Sequence, residues 1–359
     1  MPQKKDNSLR GFLSGKKKPI LVFLFVIINV AVIAATAVAE FSKPKEAAEL
    51  SEITLKWWLL VPATICFLVA LTVEIRKYVV MMRSMDKGNK LNRQKARTIA
   101  RRTVLLGKYY DNITPAAIGG QPFQIYYMRK NSGLPKGTST SIPIFGMISS
   151  QIGFLAIAII CFIFGSSAIN NSVLVATAWF GLLFYAFWPV LILGATFFPK
   201  FTTKCINFVV KILAKVKIIK NTNDAQAKVE SEVSEYVKSI KTILRARGLM
   251  VKTIFYSICF NGLIAAIPFF VLTAFGGDAN FWVCFTTTVA VMAAVCFVPT
   301  PGNAGAAEGT FFLVFSGLST GYVFWAMLAW RFFSYYVYII IGALIYFFIH
   351  LEKKRGKIT

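Results

Sequence analysis

The chain of 359 residues carries 40 Lys+Arg against 15 Asp+Glu, a formal charge of +25, yet only 15% of its residues are charged and 56% are hydrophobic, with a mean hydropathy of +0.62. Soluble globular chains run at roughly 25% charged and 45–50% apolar, so a water-soluble enzyme, a disordered tail protein and a nucleic-acid-binding domain all fit poorly. The basic residues sit in gaps between apolar runs, as cytoplasmic loops of multi-pass membrane proteins do.

A span needs about 20 apolar residues. Ile20–Ala39 qualifies, behind Lys4, Lys5, Arg10, Lys16, Lys17 and Lys18. It reads as an uncleaved first span, the alternative being a signal peptide cleaved after Ala37-Val38-Ala39. A loop of mixed charge leads to a second span at Trp57–Val73. Between Ile75 and Arg102 lie ten positive residues, Arg76 and Lys77 among them, against the single acid Asp86, which puts this segment and the N-terminus in the cytoplasm. Thr103–Met128 is too polar for a plain span, holding Lys108, Asp111, Asn112, Thr114, Pro115, Gly119, Gly120, Gln121, Pro122 and Gln124, and it is basic on both flanks. A re-entrant hairpin from the cytoplasmic side satisfies both facts.

Ile142–Phe164 and Val173–Phe198 are further spans. Segment 199–252 is basic: lysines alternate with apolar residues over Phe201–Ile219, as on an interfacial helix, and Val229, Val233, Tyr236, Ile240, Ile243 and Leu244 form one helical stripe. It reads as a cytoplasmic linker lying on the membrane, where its lysines can meet anionic lipid headgroups. Thr253–Phe275 is the next span. Phe281–Val298 then runs inward to Pro299-Thr-Pro-Gly-Asn-Ala-Gly-Ala-Ala-Glu-Gly309, and Thr310–Phe315 turns back. Tyr322–Ile349 is the last span, closed by Lys353, Lys354, Arg355 and Lys357.

The expected architecture is therefore an all-α polytopic membrane protein with six full spans and two broken helical hairpins. Its parts are a basic N-terminus (1–18), a transmembrane domain (19–349) containing the 199–252 linker, and a basic tail (350–359), with both termini in the cytoplasm. Six cysteines without a CxxC pair and a lone His350 point to no disulfide framework, metal site or histidine-based catalysis, and no cofactor is implied.

The two interrupted segments share a pattern. Thr114-Pro115-x-x-x-Gly119 recurs as Thr300-Pro301-x-x-x-Gly305, displaced by 186 residues, and the charge bias orients the two hairpins oppositely. Paired Gly/Pro-interrupted segments of opposite orientation point to an inverted-repeat transporter with a site near the midplane. Helix restarts after the breaks would offer amide N–H groups and positive dipole ends to a phosphate. At depth lie Glu308 and Arg331, with Lys108 and Asp111 near the first break. Charges there cost at least about 2.5–3.5 kcal/mol each on insertion scales, so they pair or line a cavity. Glu308–Arg331 as a purely structural pair is the alternative to a functional one.

The stretch Ile113–Met128 and the motif Pro299–Gly309 resemble the two hallmark segments of the lysylphosphatidylglycerol synthase/flippase transmembrane family, over about residues 15 to 350. Many relatives carry Gly-Glu where this chain has Gly120-Gln121, and commonly a glycine where it has Asn303. The resemblance implies a cell-membrane protein that moves phospholipid or aminoacylated phospholipid between leaflets. In two-domain relatives a separate C-terminal domain makes lysyl-phosphatidylglycerol, and the end at Thr359 leads to the expectation that this domain is missing and that a separate lipid-modifying enzyme supplies it. The implied binding residues are Thr114, Gly119, Gly120, Gln121 and Gln124 in the first hairpin, and Thr300, Gly302, Asn303, Gly305, Glu308 and Arg331 around the second. The rival functions are the lysyltransferase of the family name and a non-transporting scaffold.

Overall fold

In lipid every backbone polar group must find its partner within the segment, and apolar sequence of this length answers with helices. The computed structural model describes residues 38, 55–86, 88, 91–114, 117, 119–165, 169, 171–215, 222–278, 280–317 and 322–354, the side chains of 209–215, 222–229, 232, 346 and 348–354 excepted. Among them there is no strand. Apart from Val38, the first span expected at Ile20–Ala39 and the signal-peptide alternative lie outside the described residues, as do the N-terminal segment and tail residues 355–359.

After a 3₁₀ turn at Trp57–Leu59, α1 runs over Leu60–Met85, followed by α2 (Arg93–Ile113), α3 (Gly120–Asn131), α4 (Lys136–Gly165), α5 (Ser172–Phe197), α6 (Pro199–Lys215), α7 (Thr222–Arg245) and α8 (Arg247–Ala274). Then come α9 (Phe281–Val295), a 3₁₀ turn at Pro301–Asn303, α10 (Ala306–Phe315), α11 (Val323–Arg331), a π-helical turn at Phe332–Tyr336, and α12 (Val337–Lys354). Among the described residues five stretches are long and apolar enough to cross a membrane: Trp57–Met85, Lys136–Gly165, Ser172–Phe197, Arg247–Ala274 and Val323–Ile345. They carry the five expected spans within the described residues. Val61, Ile65, Ile163, Phe164, Leu183 and Val190 stand exposed on them, a surface suited to acyl chains rather than water.

The helices α1 and α8 pack along each other, α8 also against α4, and α9 against α5. Lys56 donates its N–H to the Ala274 carbonyl at 2.9 Å, and Tyr322 donates to Phe275. The start of α1 and the end of α8 therefore share one edge, and the two helices are antiparallel. Without a hydrophobic drive between helices in lipid, close packing carries the association, and small residues permit it. Gly181 of α5 lets the Ala293 carbonyl of α9 approach so near that any Cβ there would strike it.

Two stretches depart from the sequence reading. The helix expected to end at Val73 continues to Met85, so Lys77, counted above with the cytoplasmic charges, is fully buried. It pairs with Glu74 at 2.9 Å and donates to the Gly146 carbonyl and Ser257 Oγ, tying α1 to α4 and α8. In segment 199–252, expected as a membrane-surface linker, α7 packs on α4 and α6, while Phe201 and Phe208 of α6 stand exposed. Ile240 and Ile243 are fully buried in a cluster with Met81, Ile99 and Phe145, and Glu235 accepts the Gly137 N–H at 3.0 Å. With Tyr236 and Leu244 packed against the same cluster, four of the six stripe residues have a protein partner.

Candidate functional site

Both interruptions are built by the same local chemistry. A residue before proline is pushed out of the α region. Thr114 accordingly ends α2 at φ −113°, ψ 142°, and Thr300, before Pro301, sits at φ −97°, ψ 152°. Three residues on, Ala117 donates to the Thr114 carbonyl at 3.2 Å, and Asn303 to the Thr300 carbonyl at 3.1 Å. These two are the non-glycine residues of left-handed φ among the described residues, at 51° and 55°. They occupy equivalent places in the 186-residue repeat. Helix then restarts after Gly119 and after Gly305. At the positions described in both breaks, the threonine and the residue three on repeat the same conformation and hydrogen bond, while the glycines differ, Gly119 lying at φ −73° and Gly305 at φ 87°.

The restart amides are not vacant. Gly119 N–H is held by Thr114 Oγ1 at 2.9 Å, and Gly120 N–H by Asp111 Oδ1 at 3.0 Å. In the second hairpin Glu308 Oε2 takes the Gly305 N–H at 2.7 Å, while Thr300 Oγ1 donates to the Ala304 carbonyl at 2.8 Å. Each positive helix end already has a carboxylate of the chain against it. The phosphate seat expected at these amides is therefore filled at its first N–H groups.

The buried pair is made. Arg331 Nε donates to Glu308 Oε1 at 2.6 Å, and its Nη2 reaches the Gly302 carbonyl at 3.3 Å. Glu308 and Arg331 are 1% and 4% exposed. The guanidinium also lies 5.0 Å from the Tyr335 ring centroid, within cation–π range. Gly302, at φ 59°, lies so close to that ring that no Cβ would fit. The pair thus holds the Pro301–Asn303 turn against the π turn. Tyr335 OH in turn donates to the Asn112 carbonyl at 3.4 Å, joining the second break to the end of α2.

Between the breaks lies a cavity of about 280 Å³. Lys108, Asp111, Asn112 and Ala117 line it from the first hairpin, Gly302 and Asn303 from the second, and Arg331 and Ser334 from the last span. Ser150 and Gln151 come from the centre of α4, and Phe260 and Asn261 from the centre of α8, so the cavity sits at mid-height in the bundle. Lys108 Nζ stands 5.4 Å from the Phe260 ring centroid. Gln151 Oε1 and Ser334 Oγ are shielded from solvent and have no hydrogen-bond partner among the described residues. Buried polar atoms left so are uncommon and invite a partner.

Of the residues expected from sequence, Gly302, Asn303 and Arg331 line the cavity. Thr114, Gly119, Gly120, Thr300, Gly305 and Glu308 shape its walls from behind. Gln121 has a buried Oε1 with no hydrogen-bond partner among the described residues. Gln124 lies elsewhere, accepting from Tyr78 OH at 3.1 Å and packed on Gly107. Sequence reasoning missed Ser150, Gln151, Asn261 and Ser334; their one signal was polarity inside otherwise apolar spans. Among the described residues no cluster of His, Cys, Asp and Glu offers a metal site.

A family profile described as Lysylphosphatidylglycerol synthase TM region matches residues 20–342. The chain belongs to that family. The match covers both hairpins and every span through α11 and the π turn, so the lysylphosphatidylglycerol synthase transmembrane region is a fold of paired broken hairpins here, and its member is a multi-pass, lipid-related membrane protein. Asn303 takes the left-handed φ, which Asn tolerates better than most residues. Comparison with curated proteins and with solved structures gave no match.

Proposed function

We propose that the chain is a lipid translocase that passes the headgroup of a phospholipid, aminoacylated phospholipid included, through the mid-height cavity between its hairpins. The observation that carries this is the meeting of two backbone breaks at one cavity lined by Lys108, Asp111 and Arg331. Irregular backbone at membrane depth is tolerated where it faces protein or a polar cavity, and opposed broken helices are the usual frame of a midplane transport site. The two cations suit a phosphate and Asp111 suits an ammonium, so a headgroup bearing both finds both partners. The open acceptor Gln151 Oε1 and the hydroxyl of Ser334 supply neutral contacts. Glu308, with both oxygens engaged, acts by holding Arg331 and the Pro301–Asn303 turn rather than by taking the lipid.

The test is reconstitution of the purified chain in liposomes with headgroup-labelled phosphatidylglycerol and a membrane-impermeant quencher. The wild type should expose inner-leaflet lipid, and Ser334→Trp, which fills the cavity, should stop it without loss of monodisperse protein. Transport by Ser334→Trp at the wild-type rate, or none by the wild type, overturns the reading. Lysyl-tRNA and phosphatidylglycerol supplied together should yield no aminoacylated lipid above a protein-free control. Formation of that lipid would assign the chain to aminoacyl transfer instead.

A further inference from the structure

The strongest charge feature outside the cavity is a groove of about 950 Å³ between α1 and α2. Arg76 and Arg83 line it from α1, and Arg93, Arg97 and Arg101 from α2. Seven residues separate the first two, about 10 Å along a helix, and the other three recur every fourth residue on one face of α2. All five are exposed, and none makes an ion pair or hydrogen bond with a described residue. Among the described residues no carboxylate lines the groove. Five guanidinium groups with no counter-charge repel one another, and each offers a planar fork that fits phosphate oxygens two at a time.

The floor of the groove is apolar, formed by Ile75, Val79 and Val80. Through Thr72 and Arg76 it continues into a second depression along α1, lined by Leu68, Val69, Val73 and Tyr256. Leu68 and Val69 belong to the exposed apolar face of that span. A cationic mouth thus opens onto an apolar channel running along a membrane-crossing helix. A soluble anion would use the mouth alone, and an acidic protein would have no use for the channel. The chain's own N-terminal segment is a poor occupant, since Lys4, Lys5, Arg10, Lys16, Lys17 and Lys18 outweigh Asp6 there.

We infer that this groove is a binding site for an anionic phospholipid of the surrounding membrane, its phosphate among the five arginines and an acyl chain along Leu68–Val80. The site is separate from the cavity and does not depend on the translocase reading. It lies at the basic end of α1, where an anionic leaflet surface attracts each arginine in addition.

The experiment titrates the full chain in non-ionic detergent with phosphatidylglycerol, phosphatidylcholine or glycerophosphoglycerol, and counts bound lipid by native mass spectrometry. Arg93→Gln/Arg97→Gln/Arg101→Gln changes exposed residues only, so its fold should hold, and it should carry one tightly held phosphatidylglycerol fewer, that site weakened about tenfold or more. Thr72→Trp, which blocks the channel, should weaken the same site. Lys200→Gln/Lys238→Gln/Lys241→Gln, basic residues elsewhere, should leave it within about twofold. Equal occupancy by phosphatidylcholine, competition by glycerophosphoglycerol, full binding by the arginine triple or by Thr72→Trp, or an equal loss in the lysine triple would each overturn the inference.

Discussion

Glu308→Gln is the substitution whose consequence follows most directly from the geometry. It keeps the size of the side chain and an oxygen for the Gly305 N–H, but leaves the Arg331 guanidinium, 4% exposed, with only the Gly302 carbonyl and two aromatic rings around it. Breaking a buried pair by neutralising one partner costs about 3–5 kcal/mol. Arg331→Gln should cost a similar amount by stranding Glu308. The double variant Glu308→Gln/Arg331→Gln strands no charge and should lose only about 1–3 kcal/mol, an interaction energy of several kcal/mol between the sites. A charge reversal, Glu308→Arg/Arg331→Glu, should recover less than the neutral double, because it removes the carboxylate from the amide end of α10. The assay is reversible unfolding of the four variants in mild detergent, scored as a double-mutant cycle. Additive single variants, or Glu308→Gln within about 0.5 kcal/mol of wild type, would refute the account of the pair as the clasp between turn and span.

Ala117→Gly should stabilise the chain by about 1 kcal/mol, because a Cβ at φ 51° is strained, and a lowered unfolding midpoint would contradict this. Gly181→Ala should destabilise by about 1–3 kcal/mol by forcing α5 off the Ala293 carbonyl. Gly194→Ala in the same helix, where a Cβ meets nothing, should be neutral or better in the same unfolding measurement. In a cysteine-free background, impermeant thiol reagent applied outside should label Asp278→Cys and spare Ala225→Cys; labelling of the latter would overturn the proposed sidedness.

The spans and both breaks were legible because hydropathy and proline act locally: a threonine before proline leaves the helix whatever surrounds it, and Thr114 and Thr300 both do. Burial is a tertiary property, and there the reading failed. Lys77 has basic neighbours on the chain and reads as a loop charge; only the packing of α4 and α8 against α1 reveals that its ammonium is enclosed. The stripe of α7 was visible, but periodicity does not say whether an apolar face meets lipid or protein, and Gly137 with Glu235 decides it. Within the cavity, the charged residues stood out against apolar sequence. Asn261 and Ser334 did not, since single polar residues in a span as often bond their own helix, as Asn261 also does to Ser257.

The π turn at Phe332–Tyr336 sets how the two hairpins communicate. A π turn takes in one extra residue, which turns everything beyond it by about 100° relative to an unbroken α-helix. The last span therefore presents one face before the turn and another after it: α11 lies against α8 and α10, while α12 lies against α2, where Tyr109 abuts Gly342. A single continuous rod is gripped above by one hairpin and below by the other, with Arg331 and Tyr335 at the joint. The two hairpins thus share one packing partner. Rewinding those five residues as plain α-helix would roll one grip out of register with its partner.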